Sequence, residues 1–336
     1  MKDKIGIGIV GCGAQTQLVY LPALKKNKFA EVVAICDNDV RKLNYLAERY
    51  NIKHHYQSYN DFIADSEIDA VIIATPNYLH APMTIGALEY DKDVLVEIPM
   101  AVSANEAKTM VRMAEKKKRI LMPALNHRLR ADVQLIKNFI DGGELGSLYY
   151  SKAGWLRGRT EWSFSGWWGE RLRAGGGAFL SLGSQILDIA MYLLAQEKPI
   201  SIVGTGYKRN PANQVEDSAF ALLRFEKQIL TIEVGFSMLQ DKDFAYFNLF
   251  GSKGAALLNP VQIHREMHGH LVNVTPTNIP GQKDYVKIAY QLLVDLFVES
   301  VLKKTKPTIT GNDGLIINQI TDAFYKSYKF QKEVTI

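Results

Sequence analysis

The chain has 336 residues, 47% hydrophobic and 22% charged, with a net charge of +5. At roughly 100–200 residues per domain this is a two-domain length, and the composition is not that of a disordered chain. The densest basic run, Lys116-Lys117-Lys118-Arg119, follows a helical stretch, where cations suit a helix C-terminus; without a longer basic stripe no nucleic-acid partner is expected.

The first half alternates strands with helices. Residues 4–10, 31–36, 69–75, 93–97 and 119–124 are short apolar, β-rich runs, read as strands buried on both faces. Between them, 39–50 and 104–116 place apolar residues on single stripes, as amphipathic helices do. This alternation predicts a Rossmann-like, doubly wound parallel sheet, which binds ligands at the carboxyl ends of its strands. There the first strand runs into Gly11-Cys12-Gly13-Ala14-Gln15-Thr16. Gly11 permits a tight turn, Gly13 lets a pyrophosphate approach the backbone, and the following helix offers free N–H groups. Thr16 replaces the third glycine of G-x-G-x-x-G, whose task is close packing of helix on strand. Asp37 ends the second strand, where a carboxylate accepts both ribose hydroxyls of NAD and repels the 2′-phosphate of NADP. NAD is therefore the expected cofactor; Asn38 or Arg41 leaves NADP open.

Further along, 74–82 (ATPNYLHAP), 93–102 (DVLVEIPMAV), 125–128 (LNHR), 142–146 (GGELG) and 175–194 (GGGAFLSLGSQILDIAMYLL) form a specific set. In these segments the chain resembles the Gfo/Idh/MocA oxidoreductases, the glucose-fructose oxidoreductase and inositol dehydrogenase group, along nearly its whole length. The resemblance implies a Rossmann domain over 1–123. It also implies a C-terminal α+β domain over 124–336, with an open, mostly antiparallel sheet that covers the nicotinamide and builds a homodimer or homotetramer. The last helix could pack back on the Rossmann domain. Thr75, Pro76, Asn77, His80, Glu97 and Pro99 then join Gly11, Gly13, Ala14, Gln15 and Asp37 as cofactor-binding positions.

Members of that family carry a lysine in E-K-P and an aspartate and histidine four apart. Here those positions hold Ile98, Ser181 and Gln185. None of these side chains titrates near neutrality, yet oxidising an alcohol needs a group to take the hydroxyl proton. Ser181 and Gln185 share a face if one helix runs through both, and can still hydrogen-bond a substrate. Asp188 and His127 are the remaining candidates for acid/base work. Ile98, Asn126, Arg157, Trp168, Ser181 and Gln185 make up the expected substrate pocket. All four tryptophans fall between Trp155 and Trp168, amid Arg157, Arg159, Arg171 and Arg173. Such a set suits sugar rings and carboxylates, or alternatively a subunit contact.

Residues 262–272, read as one strand, would put His264, Glu266, His268 and His270 on one face; a solvated face is the expectation there, and no metal is assigned. Helices are expected over 286–302 and 312–330, the latter capped by Thr310 or Asn312. Cys12 and Cys36 lie near the ends of neighbouring strands and make no disulfide framework. No secretory leader is read in 1–20 and no uncharged run reaches the roughly 18 residues of a membrane helix, so a cytoplasmic protein is expected. The implied activity is hydride transfer on a sugar, sugar acid, cyclitol or similar small polar carbonyl or alcohol. The alternatives are a cofactor-binding sensor or partner subunit without dehydrogenase activity, and non-redox chemistry on tightly held NAD.

Overall fold

The computed structural model describes residues 4–158, 166–194, 198–279 and 284–336. The chain divides into two compact units, Met1–Asn126 with Lys287–Asn318, and His127–Val286 with Gln319–Ile336. Where the sequence suggests one boundary at 123/124, the chain passes between units three times.

The first unit is built on a parallel sheet of β1 (Ile5–Val10), β2 (Ala30–Cys36), β3 (His54–Tyr56), β4 (Ala70–Ile73), β5 (Asp93–Val96) and β6 (Leu121–Pro123). Their order is β3-β2-β1-β4-β5-β6. Strands β1, β4, β5 and β6 are buried at every position, which is why they read as unbroken apolar runs. Only β3 escapes the sequence reading: at three residues it is too short to show a period. The order reverses between β1 and β4, and a crevice for a ligand forms at such a switch point. The helix Tyr285–Lys303 belongs wholly to this unit apart from its first turn. Asn27 Nδ2 donates to Asp295 Oδ1 at 2.7 Å, Gln291 Nε2 donates to the Ala23 carbonyl, and Tyr290 meets Tyr20 edge-on. The final helix, Gly311–Phe330, is divided between the units at Asn318. Thr310 precedes it and gives both its N–H and its hydroxyl to Asp313 Oδ2 at 2.8 Å, the returning half of a capping box.

The second unit carries a nine-stranded sheet. Its strands are β7 (Leu148–Gly158), β8 (Ser201–Tyr207), β9 (Ser218–Arg224), β10 (Ile229–Met238), β11 (Phe244–Gly251), β12 (Gly254–Leu258), β13 (Gln262–Met267), β14 (His270–Asn273) and β15 (Val334–Thr335). They run in the order β14-β13-β12-β11-β7-β10-β9-β8-β15, with only β7 and β10 pairing in parallel. One face is core: Ala153, Ala221, Leu223, Leu230, Ile232, Phe247 and Leu249 are buried. Gly204 lies on that side, under Phe324 of the last helix.

The expectation of a single strand over 262–272 is corrected. The segment is a hairpin, because His268 and Gly269 both take positive φ (53° and 79°) and turn the chain. His264 and Glu266 stay on β13 while His270 starts β14, so the four side chains do not form one row. Among the described residues no helix is long and apolar enough to cross a membrane.

Candidate functional site

At the carboxyl end of β1, Gly11 adopts φ +92°, and a Cβ there would lie 2.4 Å from the Ala74 carbonyl oxygen. No other residue fits so close to the β4 exit. Gly13, by contrast, faces open space, with no atom within 4 Å of where its Cβ would be. Ala14 and Gln15 open the helix that follows, and Gln17 N–H bonds back to the Gly13 carbonyl. Turn, gap and helix N-terminus are thus all present, as a pyrophosphate requires. Thr16 is fully buried and its hydroxyl donates to the Gly11 carbonyl, tying the helix to the turn in the place of the missing glycine. The Asp37 carboxylate is held over the same loop by Cys12 N–H at 2.6 Å and Asp39 N–H at 2.9 Å.

Polar groups gather at the ends of the next strands. Glu97, just past β5, accepts from Tyr20 Oη (2.5 Å), Gln15 Nε2 (2.8 Å) and the Ile98 N–H (3.2 Å). Close protein surroundings push its carboxyl up from the ordinary range, partly offset by the Tyr20 and Gln15 bonds. Sequence reasoning missed Tyr20 and Tyr290 in this cluster, since nothing in a lone aromatic marks a partner 77 residues away. Thr75 Oγ1 and both side-chain polar atoms of Asn126 are buried with no hydrogen-bond partner. Burying such groups unpaired costs about 1–3 kcal/mol each, so they mark places where a polar ligand would be held. Pro76 and Asn77 continue the loop after β4.

The reading of His80 as a cofactor contact needs correcting. Nδ1 faces the Pro99 carbonyl and Nε2 the Thr75 carbonyl, both at 2.8 Å, and the residue is 1% exposed. With both nitrogens taken, His80 ties the loop after β4 to the loop after β5 instead of reaching a ligand. A cavity of about 1020 Å³ in this unit opens at the other, amino ends of the strands, among Lys118, Lys304 and Asp93. It is not the dinucleotide crevice.

In the second unit, the glycine run at 175–177 leads into a π-helical turn, Phe179–Gly183, and the helix Ser184–Leu193. Glu216 organises that start. Its carboxylate accepts from Gly177 N–H (3.2 Å), Phe179 N–H (3.0 Å) and Tyr325 Oη (2.9 Å). The glycines are needed because a Cβ on Gly177 would meet the Glu216 carbonyl oxygen at 1.8 Å. Ser181 and Gln185 are neighbours across one turn, with Gln185 Nε2 turned toward the Ser181 carbonyl. Gln185 Oε1 lies 2.7 Å from His127 Nε2, and the His127 ring packs edge-on against Trp155. His127 and Gln185 line a cavity of about 120 Å³ together with Arg130, Gly154, Trp155 and Tyr246. Burial, with help from the Arg130 charge, pushes His127 down to about 4.

Asp188 is not available as an acid or base. It is fully buried and its Oδ1 accepts from Arg128 Nε at 2.6 Å, a pair sealed beneath the helix. Arg157 and Trp168 do not line the His127 cavity. Arg157 approaches Asp243 at 3.4 Å, and Trp168 stacks on Trp167 at the surface, 4.2 Å between rings. Arg159 and Trp162 lie outside the described residues.

A Rossmann sheet with a glycine cradle, followed by an open antiparallel sheet, defines the class of two-domain dinucleotide-binding oxidoreductases. Comparison with known proteins narrows this. Residues 5–125 match the oxidoreductase family model with the NAD-binding Rossmann fold, and 133–257 match the GFO/IDH/MocA C-terminal domain. The D-glucoside 3-dehydrogenase of Escherichia coli (strain K12) is 26% identical over 97% of this chain and 96% of its own. Levoglucosan dehydrogenase, solved with NADH and levoglucosan, superposes with a TM-score of 0.88 at 20% identity, covering 99% of both chains. An oxidoreductase from Agrobacterium radiobacter, solved with NAD+, L-tartaric acid and magnesium, gives 0.86 at 21%, covering 99% of this chain and 98% of that one. The chain belongs to the Gfo/Idh/MocA oxidoreductase family, and its N-terminal domain is that family's NAD-binding Rossmann fold.

Proposed function

We propose that this protein is an NAD-dependent sugar oxidoreductase. It moves a hydride between the nicotinamide and a secondary alcohol or its ketone on a sugar, sugar acid or cyclitol. The observation that carries this is the first unit's crevice: the Gly11–Gly13 cradle, the Asp37 carboxylate beside it, and the unpartnered buried groups of Thr75 and Asn126. These fit a dinucleotide's pyrophosphate, its ribose and further polar groups. Asp37 favours NAD over NADP by repelling a 2′-phosphate. The substrate class follows the relatives, whose names specify a glucoside and levoglucosan. When bound, the cofactor would supply the hydride acceptor, with Glu97, Ile98 and Pro99 bordering its crevice in the first unit.

The substitutions at Ile98, Ser181 and Gln185 favour one rival reading, a family member that binds NAD without turning anything over. Both are tested on purified protein. Bound nicotinamide cofactor is sought by mass and absorbance, and a panel of aldoses, glycosides, sugar acids and cyclitols is screened for NAD reduction. Turnover of one class supports the oxidoreductase; tight NAD binding without turnover supports the rival; no binding of either NAD or NADP defeats both. We further propose that copies assemble through the nine-stranded sheet.

A further inference from the structure

The crevice of the first unit holds a carboxylate whose hydrogen-bond partners carry no charge. We infer that Glu97 sets which oxidation state of the cofactor the crevice prefers: as an ionised carboxylate on the nicotinamide side, it favours NAD+ over NADH. This rests on the NAD-binding part of the reading above and not on turnover, and every group it uses belongs to the first unit.

Placement comes from the strand order. Asp37 follows β2 and the Gly11–Gly13 cradle follows β1, with β4 and then β5 on the other side of β1. A dinucleotide with its adenosine ribose at Asp37 and its pyrophosphate at the cradle crosses the switch point, so its nicotinamide half lies toward β4 and β5. Glu97 follows β5 directly, and it is bonded to the cradle's own helix, where Gln15 Nε2 donates to its Oε1 at 2.8 Å. Val96 and Pro99 are buried, but Glu97 and Ile98 are only half-buried, so these two are the part of the turn that stays partly open.

The charge state follows from the partners. An ionised carboxylate only accepts hydrogen bonds, whereas a protonated one must also donate. Oε1 accepts from Tyr20 Oη at 2.5 Å and from Gln15 Nε2, and Oε2 accepts from the Ile98 N–H at 3.2 Å. Both nitrogen partners can only donate, so the set matches the ionised form. Burial works against the charge, and Tyr20, Gln15 and Ile98 work for it. Tyr290 packs edge-on against Tyr20, and burial keeps both phenols un-ionised. On the neighbouring loop, burial pushes His80 down and so keeps it uncharged at neutral pH. Ile98 brings no charge of its own.

The nicotinamide ring is positively charged in NAD+ and neutral in NADH. An unbalanced carboxylate within several ångströms of it, in a half-buried site, changes the affinity of the charged form by about 10-fold or more. For a two-electron couple, a tenfold preference for the oxidised form lowers the potential of the bound cofactor by about 30 mV. A cation at position 98 would cancel much of this, and isoleucine leaves it in place.

The test is a pair of dissociation constants and needs no substrate. Binding of NAD+ is measured by calorimetry and of NADH by its fluorescence, at neutral pH, in the parent and in two variants checked for unchanged melting. Glu97→Gln should lower the ratio of the Kd for NADH to the Kd for NAD+ by about 10-fold. Ile98→Lys keeps the carboxylate but sets an ammonium beside it, and should move the ratio in the same direction. A merely structural Glu97 would weaken both forms alike; an unchanged ratio in folded Glu97→Gln therefore overturns the inference. If Glu97→Gln fails to fold, Ile98→Lys decides alone, and an unchanged ratio there overturns it. A parent that binds both forms, with variants that leave the ratio unmoved, removes this inference and leaves the NAD reading standing. A parent that binds neither form removes both.

Discussion

At the scale of single residues, two candidates that look alike in sequence prove different in kind. Asp188 and His127 are both ionisable side chains within the segments that resemble the family, but Asp188 is locked to Arg128 with both partners nearly sealed from water. Removing one partner of such a pair leaves the other charge buried and unpaired, at about 3–5 kcal/mol. Asp188→Ala should therefore lower unfolding stability by that amount in urea titrations; loss of turnover at unchanged stability would instead restore Asp188 as an acid or base. The cysteines behave as the sequence suggests, and more strongly. Cys12 Sγ lies against the Cys36 carbonyl at 3.9 Å, both are free, and burial with the Asp37 charge pushes both thiols up to about 12. With almost no thiolate at pH 8, native protein should react with a thiol reagent only as fast as it opens. Fast labelling of either cysteine in folded protein would show the crevice floor to be looser than this. The glycine turn at Gly11 and the buried strand before it were legible residue by residue. The His127–Gln185 pair was not, because it joins side chains 58 apart whose contact exists only after folding.

At the scale of elements, the glycine-rich entrance to the Ser184–Leu193 helix explains where its rigidity comes from. The N–H groups at a helix start have no partners within the helix, and here Glu216 takes those of Gly177 and Phe179. Burial pushes the Glu216 carboxyl up, while those N–H groups and Tyr325 pull it back. A raised folded-state value means that the folded form binds the proton more tightly than the unfolded one. Glu216 therefore opposes folding most once it is ionised, above its folded-state value, and less as the pH falls below the ordinary range of a glutamate. Glu216→Gln would set an amide NH2 against a backbone N–H. It should cost about 1–3 kcal/mol in denaturant titration and weaken the His127–Gln185 bond, seen as a shift of the His127 nitrogen resonances. No cost at all would mean that the glycines alone hold the turn. Glu216 had no sequence signal, since its three partners lie 37 or more residues away. The hairpin of β13 and β14 did carry one: His268-Gly269 is a two-residue turn with glycine second, masked by the alternating His264, Glu266, His268 and His270, which mimic one continuous strand.

At the scale of the whole molecule, the parallel sheet was readable because strands buried on both faces leave unbroken apolar runs, and its order follows from right-handed strand–helix–strand winding. The antiparallel sheet was not readable strand by strand and came through family resemblance alone. Its register now supplies what the sequence could not. Val203 opposes Leu222, Thr205 opposes Phe220, Phe220 opposes Glu233, and Arg224 opposes Ile229, so these side chains share the face away from Gly204 and Ala221. Phe220 is 50% exposed there, with Val203, Tyr207 and Ile229 also exposed around it. An antiparallel sheet can leave one face to water, and Thr205, Arg224 and Glu233 suit that; the exposed apolar cluster of Val203, Tyr207, Phe220 and Ile229 among them marks an interaction surface. A second copy meeting it would need to cover about 800 Å² per partner, well within the reach of several long strands. If the sheet is the assembly surface, the parent elutes as a dimer or tetramer by light scattering, and Phe220→Lys, placing a charge at its centre, shifts the mass toward the monomer. Since Phe220 is half exposed, the variant should keep its melting behaviour as a monomer within about 1 kcal/mol. A monomeric parent, or an oligomer indifferent to Phe220→Lys, would move the assembly surface off this sheet.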